Sequence, residues 1–405
     1  MIKSYVFASA LTFILGASSL HAAEPTDVPR PLDTVPFEVL DQEIPHHAGA
    51  EWPPDLENTP LRPMVIRQGE DVKTARYHEV QGYTFLLNSM KRPRLVRMDN
   101  GRLVLSATSW VRSTGDEVGI LMTSDDEGLS WSPLREVQHG DLTYLGGQKL
   151  MILGGSLVFS EDGGETWSEP KPFPQLPDGR PAYAHCTFLV EGDRVTGVFY
   201  AEEKAHGPVG WTGGSLLRRS QDGGHTWGDP IFLPREWQTS EGSIIRAQDG
   251  AIVLSLRTAQ KVGYPSYSDH WRRITTARST DEGETWTDVN VYFSCGKVHT
   301  DLKLLPNGNL LMTYAARIGE LDGQTYHGIE AVISRDHGKT WDWANRYYLF
   351  RWNMQSAMHS PQSVVLSDGR IMTVFLYHYD SAYGHRYLPQ ALNIGMVDAI
   401  FWEAK

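Results

Sequence analysis

Residues 160–167 read SEDGGETW, and the same pattern, S-x-D-x-G-x-[ST]-W, occurs five times in this chain. The other four copies are SDDEGLSW (124–131), SQDGGHTW (220–227), STDEGETW (279–286) and SRDHGKTW (334–341). Each copy has the composition of a tight hairpin: an Asp that can hydrogen-bond its own backbone, a Gly that tolerates positive φ, and a Trp that needs burial. The last four copies begin 60, 59 and 55 residues apart, which indicates a repeat architecture.

A second repeat, out of phase with the first, consists of an apolar run, a polar turn with glycine and another apolar run. It occurs at residues 94–107, 187–201, 243–257, 302–317 and 363–378, and we interpret 149–160 as a degenerate copy. Together the two repeats predict a unit of two hairpins, and hence a four-stranded blade, repeated six times. The predicted fold is therefore all-β: a six-bladed β-propeller of antiparallel blades, with the boxes as outer hairpins and their Trp side chains between the sheets.

A ring of blades must be closed, and the last blade lacks a fourth strand after PQALNIGMVDAIFWEAK (389–405). We predict that a segment near PMVIR (63–67) pairs with this blade. The propeller would then span residues 61–405, and the Pro-rich residues 24–60 would lie over its outside or its rim. Calcium binding by the boxes is a weak alternative because each box offers too few closely spaced oxygen ligands, so no cofactor is predicted.

The first residues, 1–23, have the pattern of a secretory signal peptide: Lys3 precedes an apolar stretch that ends in small residues. A transmembrane anchor would need a longer apolar span followed by a charged stop. We therefore expect an exported protein, periplasmic or extracellular, without a membrane span. Only Cys186 and Cys295 are present, which is too few for a disulfide framework, so the core must hold the fold.

The formal charge of −12 argues against nucleic acid and acidic membranes as partners, because both require basic surfaces. It leaves room for a small anionic ligand held by a few local arginines. The sequence contains no G-x-S-x-G elbow and no Gly-rich phosphate loop between a strand and a helix. We expect a monomer.

The boxes and the blade pattern resemble the sialidase superfamily, in which Asp boxes of this form mark the blades of a six-bladed propeller. The resemblance covers roughly residues 85–400. It is more specific for the fold than for the activity, because the boxes lie far from the axis and one scaffold can host several chemistries. It implies an exo-glycosidase that cleaves an acidic terminal sugar, with arginines on the sugar carboxylate, a Tyr nucleophile activated by Glu, and an Asp as acid and base.

The resemblance assigns roles to five positions. Glu241 in SEGSII stands at the place of the activating Glu, and Arg257 and Arg317 hold equivalent strand-end positions in neighbouring blades, from which they could bind one anion. Asp116 lies in the loop before the first box, where the family carries its acid/base Asp. In MKRPRLVRM (90–98), the place of the first family arginine is taken by Lys91, or by Arg92 after a one-residue shift.

One family feature is missing. Where the nucleophilic Tyr should precede the inner strand of the last blade, the sequence has His359 and Ser360. Either a Tyr from elsewhere reaches the pocket, such as Tyr264, Tyr267 or Tyr377, or the mechanism differs from that of the family.

Histidines offer such a different mechanism. His185, His299 and His359 each precede an inner strand of a different blade, so all three are predicted to point towards the axis, with Asp301 beside His299. They could hydrogen-bond a sugar, or act as base and acid in β-elimination from a uronate. No HxH or HExxH spacing supports a metal site. The main prediction is thus a sialidase-type glycosidase; a lyase or non-sialic glycosidase using His, and a non-catalytic glycan-binding propeller, are the alternatives.

Overall fold

The computed structural model describes residues 66–68, 78–79, 87–88, 91–110, 117–201, 214–237, 239–258, 272–292, 296–321, 324–352, 356–379 and 394–404. In these ranges the chain forms 26 β-strands and two single-turn 3-10 helices, Arg235–Trp237 and Trp343–Asn345. None of the described helices is long and apolar enough to span a lipid bilayer. The predicted all-β fold class is confirmed.

Three short strands precede the ring: β1 (Ile66–Gln68), β2 (His78–Glu79) and β3 (Leu87–Asn88). The next twenty strands form blades 1 to 5, four consecutive antiparallel strands in each, counted from the axis outwards. Blade 1 contains β4 (Lys91–Arg97), β5 (Leu103–Trp110), β6 (Glu117–Ser124) and β7 (Arg135–Val137). Blade 2 contains β8 (Asp141–Gly146), β9 (Lys149–Leu153), β10 (Ser156–Ser160) and β11 (Lys171–Pro172). Blade 3 contains β12 (Ala182–Glu191), β13 (Arg194–Ala201), β14 (Gly214–Ser220) and β15 (Ile231–Phe232).

Blade 4 contains β16 (Thr239–Arg246), β17 (Ile252–Thr258), β18 (Ile274–Ser279) and β19 (Thr287–Tyr292). Blade 5 contains β20 (Lys297–Leu304), β21 (Leu310–Leu321), β22 (Gln324–Ser334) and β23 (Tyr347–Trp352). Blade 6 begins with β24 (Ser356–Val365), β25 (Ile371–Tyr379) and β26 (Ile394–Trp402). The predicted six-bladed propeller is therefore confirmed.

Blade 6 is completed by the other end of the chain. Strand β1 pairs in parallel with β26, with Ile66 opposite Ala399 and Arg67 opposite Ile400. The predicted closure is thus confirmed at Ile66 and Arg67, and residues 63–65 lie outside the described part. Pairing the two chain ends in one sheet covers the edge of β26 that would otherwise stay open.

Blade 2 corrects one detail of the repeat assignment. We predicted residues 149–160 as an inner hairpin, but they form β9 and β10, the second and third strands of the blade. The inner strand is β8, which pairs with β9 through Asp141 opposite Leu153 and Leu142 opposite Ile152. The prediction was wrong because β8, with the sequence DLTYLG, has fewer aliphatic residues than β9 (KLMIL) and is only partly buried in its second half.

The five boxes connect the third and fourth strands of blades 1 to 5, as predicted, and they share one hydrogen-bond pattern. In the second box, the hydroxyl of Ser160 donates to Asp162 at 2.8 Å and accepts from Gly164 N at 2.8 Å. The backbone N and hydroxyl of Thr166 donate to Asp162 at 2.9 and 2.5 Å. Hydrogen bonds from Thr166 and Ser160 lower the pKa of Asp162 to about 2, so this carboxylate stays ionised and keeps accepting them.

Each box also packs against the preceding blade. In the fifth box, Trp341 is buried in a cluster that contains Val253 of blade 4 and Leu310 of blade 5. Gly338 has a φ of +84°, and a Cβ there would lie 2.8 Å from a Val253 methyl group. The glycine and the tryptophan of the box pattern are therefore both required by the contact between blades.

The contact between blades 5 and 6 is made without a box. A box joins the third and fourth strands of a blade, and in blade 6 these strands come from opposite ends of the chain. Trp402, at the end of β26, is buried there among residues of both blades. Its indole N–H donates to Thr373 Oγ1 at 2.9 Å, and its ring centroid lies 5.4 Å from that of Tyr347. Of the six contacts between neighbouring blades, five thus contain a box and the sixth contains Trp402.

Substitution of Gly338 tests this packing. Gly338→Ala places a methyl group against Val253, at a φ of +84°. The control, Gly250→Ala, has nearly the same φ, +87°, but no heavy atom within 4 Å of the new methyl. We expect the control to lower the free energy of unfolding by about 1 kcal/mol through backbone strain. Gly338→Ala should cost about 1–3 kcal/mol more through overpacking. Urea unfolding measures both, and equal losses would contradict the tight contact.

Candidate functional site

Five of the six inner strands contain an irregularity near the same end. In blades 1, 4, 5 and 6, two residues of the inner strand lie opposite one residue of the second strand, which is a β-bulge. In blade 3, three residues of the inner strand lie opposite one. The affected stretches are 92–93, 185–187, 240–241, 299–300 and 360–361. Three non-glycine residues there adopt positive φ: Arg92 (53°), His299 (54°) and Ser360 (47°). Bulges redirect side chains, and strained backbone of this kind clusters at functional sites. The bulges therefore mark the candidate site.

A small cavity, open to solvent, lies where these bulges meet. Blades 1, 3, 4, 5 and 6 supply its lining residues: Arg94, Thr187, Glu241, Gly242, His299, Thr300, Ser360 and Gln362. Residues far apart in the chain are thus brought to one place by the ring. Two of the predicted site residues, Glu241 and His299, are among them.

Glu241 is buried and lies between a cation and an imidazole. Its Oε1 is 3.0 Å from Arg257 Nη2, and its Oε2 is 3.1 Å from His299 Nδ1. Arg257 Nε also donates to Ser240 Oγ at 3.1 Å, which ties the guanidinium to the bulge. A Cβ on the next residue, Gly242, would come within 2.6 Å of the backbone oxygen of Ser255, so only glycine fits there. The local backbone therefore holds the Glu241 carboxylate against both partners.

His299 connects this carboxylate to a second arginine. Arg317 Nη2 lies 3.3 Å from His299 Nε2, and both side chains are buried. Because a guanidinium has only donors, this hydrogen bond requires a lone pair on Nε2. The proton of the neutral ring is then on Nδ1, facing the Glu241 carboxylate. The four side chains form a continuous chain, from Arg257 through Glu241 and His299 to Arg317.

We had predicted that Arg257 and Arg317 hold equivalent positions in their blades, and this prediction was wrong. Arg257 lies opposite the bulge of its blade, since its neighbour Leu256 pairs with Gly242. In blade 5 the residue opposite the bulge is Tyr314, and Arg317 is three residues further along β21. Counting residues along the sequence did not reveal this difference, because strands β17 and β21 differ in length and in their register with the inner strand.

Arg94 is a cavity residue that the sequence analysis missed. Its Nε donates to Asp141 Oδ1 at 2.6 Å, and this pair between blades 1 and 2 is almost fully buried. We had predicted Lys91 or Arg92 as the first arginine of the clamp. Arg92 occupies the bulge with positive φ, and the side chain of Lys91 lies outside the described residues. The signal that could have identified Arg94 was its place beside Pro93 and Leu95, which are both buried in β4.

Asp301 is placed away from the cavity. Its side chain is completely buried, accepts a hydrogen bond from Ser363 N at 2.7 Å and lies 2.7 Å from Lys303 Nζ. Burial raises the pKa of Asp301. These contacts join the inner strands of blades 5 and 6, which argues against the predicted role in substrate binding.

The other predicted residues lie wholly or partly outside the described residues. The described residues do not include Asp116, Tyr264 or Tyr267. His185, His359 and Tyr377 have a described backbone in strands β12, β24 and β25, but not described side chains. Their predicted roles stay predictions.

Comparison with known proteins agrees with the architecture. A family model described as a BNR repeat-like domain matches residues 146–318. No curated protein matches the chain significantly. A protein of unknown function from Dyadobacter fermentans is similar in structure, with 20% identity, a TM-score of 0.55 and coverage of 78% of this chain and 96% of its own.

Two further similar structures are glycosidases by name. The NanB sialidase of Streptococcus pneumoniae has 12% identity and a TM-score of 0.54, covering 77% of this chain and 68% of its own. An α-L-arabinanase of Penicillium chrysogenum, in complex with arabinobiose, has 12% identity and a TM-score of 0.51, covering 78% and 96%. At these identities the likeness establishes the fold, and the substrate has to be argued from the site.

The pair of Arg94 and Asp141 can be tested through stability. Asp141→Ala removes the carboxylate from a buried guanidinium, and breaking such a pair costs about 3–5 kcal/mol. In the double variant Arg94→Met/Asp141→Ala, neither charge of this pair is left buried, so part of this loss should be recovered. Urea unfolding of the two variants and the wild type measures both effects. A loss below about 1 kcal/mol in Asp141→Ala would contradict the importance of the pair.

Proposed function

We propose that this chain, a sialidase-like propeller with a BNR repeat-like domain, is an exo-glycosidase that removes an acidic terminal sugar from a glycan. One observation carries the proposal. Glu241 contacts both Arg257 and His299 in the axial cavity, and Arg317 contacts the far side of His299. This arrangement combines a base with two cations that can bind an anion.

The charge at the cavity favours an acidic sugar. Three arginines, Arg94, Arg257 and Arg317, lie at or beside the cavity of a chain whose formal charge is −12. Guanidinium groups bind carboxylates through paired hydrogen bonds. We therefore propose that the sugar carboxylate binds between Arg257 and Arg317.

The contacts of His299 support a mechanism based on an activated water molecule. Nε2 of His299 takes a proton from water as its oxygen attacks the anomeric carbon, and Glu241 stabilises the imidazolium through Nδ1. Asp116 is the proposed acid, which gives its proton to the glycosidic oxygen as the bond to the anomeric carbon breaks. This mechanism needs no tyrosine at the position of Ser360, where the family nucleophile is missing.

A second candidate reaction is β-elimination from a uronate, and the contact between Glu241 and His299 favours it as well. His299 Nε2 would take the proton from C5, a C4=C5 double bond would form, and the C4–O bond would break. The same imidazolium would then return the proton to the leaving oxygen. The product differs from that of hydrolysis, because the new double bond is conjugated with the carboxylate and absorbs ultraviolet light.

Replacing Glu241 tests the site in both reactions. In Glu241→Gln the imidazolium loses its carboxylate, and we expect turnover to fall about 10²–10⁴-fold. The control, Glu284→Gln, alters an exposed box residue whose nearest cation is 3.8 Å away, and it should keep wild-type activity. Fluorophore release from an aryl α-sialoside and an aryl β-glucuronide measures hydrolysis, and ultraviolet absorbance with a polyuronate measures elimination. Glu241→Gln with wild-type rates would contradict the assignment.

We also propose that the chain is exported, because residues 1–23 have the pattern of a cleavable leader. The expected mature protein begins at Glu24. Intact-mass measurement on protein recovered from the periplasm or the medium of an expressing cell tests this. A full-length chain that stays in the cytoplasm would contradict export.

A further inference from the structure

The nitrogen that acts as the base in the proposed mechanism, His299 Nε2, already takes part in a hydrogen bond. His299 Nε2, which would accept the proton, lies 3.3 Å from Arg317 Nη2, while Nδ1 faces Glu241. A nitrogen lone pair that accepts a hydrogen bond from a guanidinium is not free to accept a proton. The base is therefore masked by one of the two arginines proposed to bind the substrate.

We propose that Arg317 is a latch on this base: the carboxylate of the substrate draws the guanidinium onto itself and thereby frees His299 Nε2. The proposal rests on the proposed function and adds to it a requirement for the acidic group during catalysis. Arg317 would then be a positioning residue that couples recognition of the sugar carboxylate to the availability of the base.

Relative hydrogen-bond strengths favour this exchange. The contact in the free protein joins a cation to a neutral ring through one long hydrogen bond. A carboxylate can accept two parallel hydrogen bonds from the same guanidinium, and bonds between two charged groups are roughly twice as strong as neutral ones. A bound carboxylate therefore competes successfully with the imidazole for Arg317, whereas a hydroxyl or an ester does not.

The proposed exchange requires a movement of the Arg317 side chain alone, since the backbone of Arg317 and the base are both anchored. The backbone of Arg317 is held by a hydrogen bond from its N to Gly296 O at 2.7 Å, so only its side chain must shift. His299 is held in the bulge at a φ of 54°. Glu241 keeps its contact with Arg257 at 3.0 Å and remains directed at Nδ1. Release of Arg317 thus changes one end of the imidazole and preserves the other.

The latch predicts how the enzyme treats neutral substrates. Without a carboxylate the sugar can still enter the cavity, but Nε2 stays masked, so the loss appears in kcat as well as in KM. If Arg317 only bound the carboxylate, its removal would not help a neutral substrate. If it masks the base, its removal should help.

The kinetic experiment compares 4-methylumbelliferyl α-sialoside and β-glucuronide with their methyl esters, in wild type and in Arg317→Met. We expect the variant to lose activity on the acid and to gain about fivefold or more in kcat on the ester. Arg257→Met is the matched control, because Arg257 contacts Glu241 and not Nε2; it should lose activity on both substrates. An Arg317→Met variant with an unchanged or lower kcat on the ester would overturn the latch.

A spectroscopic experiment tests the latch independently of turnover, and so separates its failure from failure of the proposed function. In ¹⁵N-histidine-labelled protein, with the His299 signals assigned by difference from His299→Gln, the free protein should show an Nδ1–H tautomer whose Nε2 accepts a hydrogen bond. Arg317→Met, or addition of free N-acetylneuraminate or glucuronate to the wild type, should shift the Nε2 signal to that of an unbonded lone pair. Glucose should not. An Nε2 resonance that is the same in wild type and Arg317→Met would overturn the proposal.

Discussion

In the described residues, the strands of different blades do not pair with one another through their backbones, and the rest of the structure has to satisfy that constraint. The six sheets pair only within themselves in the described residues, so side chains must hold blade to blade. Far from the axis the boxes do so with a glycine and a tryptophan packed on the preceding blade. At the axis, polar side chains bridge the inner strands, as in the 2.6 Å contact between Thr187 and Ser243 and the hydrogen bond from Ser363 N to Asp301.

The same constraint explains why charged residues can occupy the centre. In the described residues the inner strands converge there without backbone-to-backbone hydrogen bonds between blades, so side chains must make the contacts. A buried charge is costly unless it is paired. Arg94 has Asp141, and Arg257 and Arg317 reach Glu241 directly and through His299. The two networks are thus made from the same kind of contact, and each has a residue at the cavity: Arg94 in one, Glu241 and His299 in the other.

The bulges decide which side chains reach the cavity. An extra residue in a strand shifts the side chains beyond it to the other face. In blade 5 this shift places Asp301 against blade 6 and leaves His299 at the cavity. Positive φ at His299 costs conformational energy, which the surrounding sheet must offset. The site is therefore supported by a strained but well-anchored backbone, which suits groups that must keep their positions while a ligand binds.

The sequence by itself determined the all-β propeller, the number of blades, the role of the boxes and the closure at Ile66 and Arg67. Most of these features depend on local patterns, such as the alternation of apolar residues and the turn chemistry of Asp and Gly. Each such pattern can be recognised within a segment of 8 to 16 residues. It also drew attention to Glu241, Arg257, His299 and Arg317, through strand ends and family resemblance.

Only the tertiary structure decided how these residues combine. Each contact at the site joins different strands or blades. Examples are Glu241 with His299, Arg317 with the opposite ring nitrogen, and Arg94 with Asp141. The buried Asp301 likewise contacts the backbone of Ser363 in the next blade. Their geometry depends on bulges and on the register between strands. A one-residue shift in register moves a side chain to the opposite face, and no local sequence pattern records where such a shift occurs.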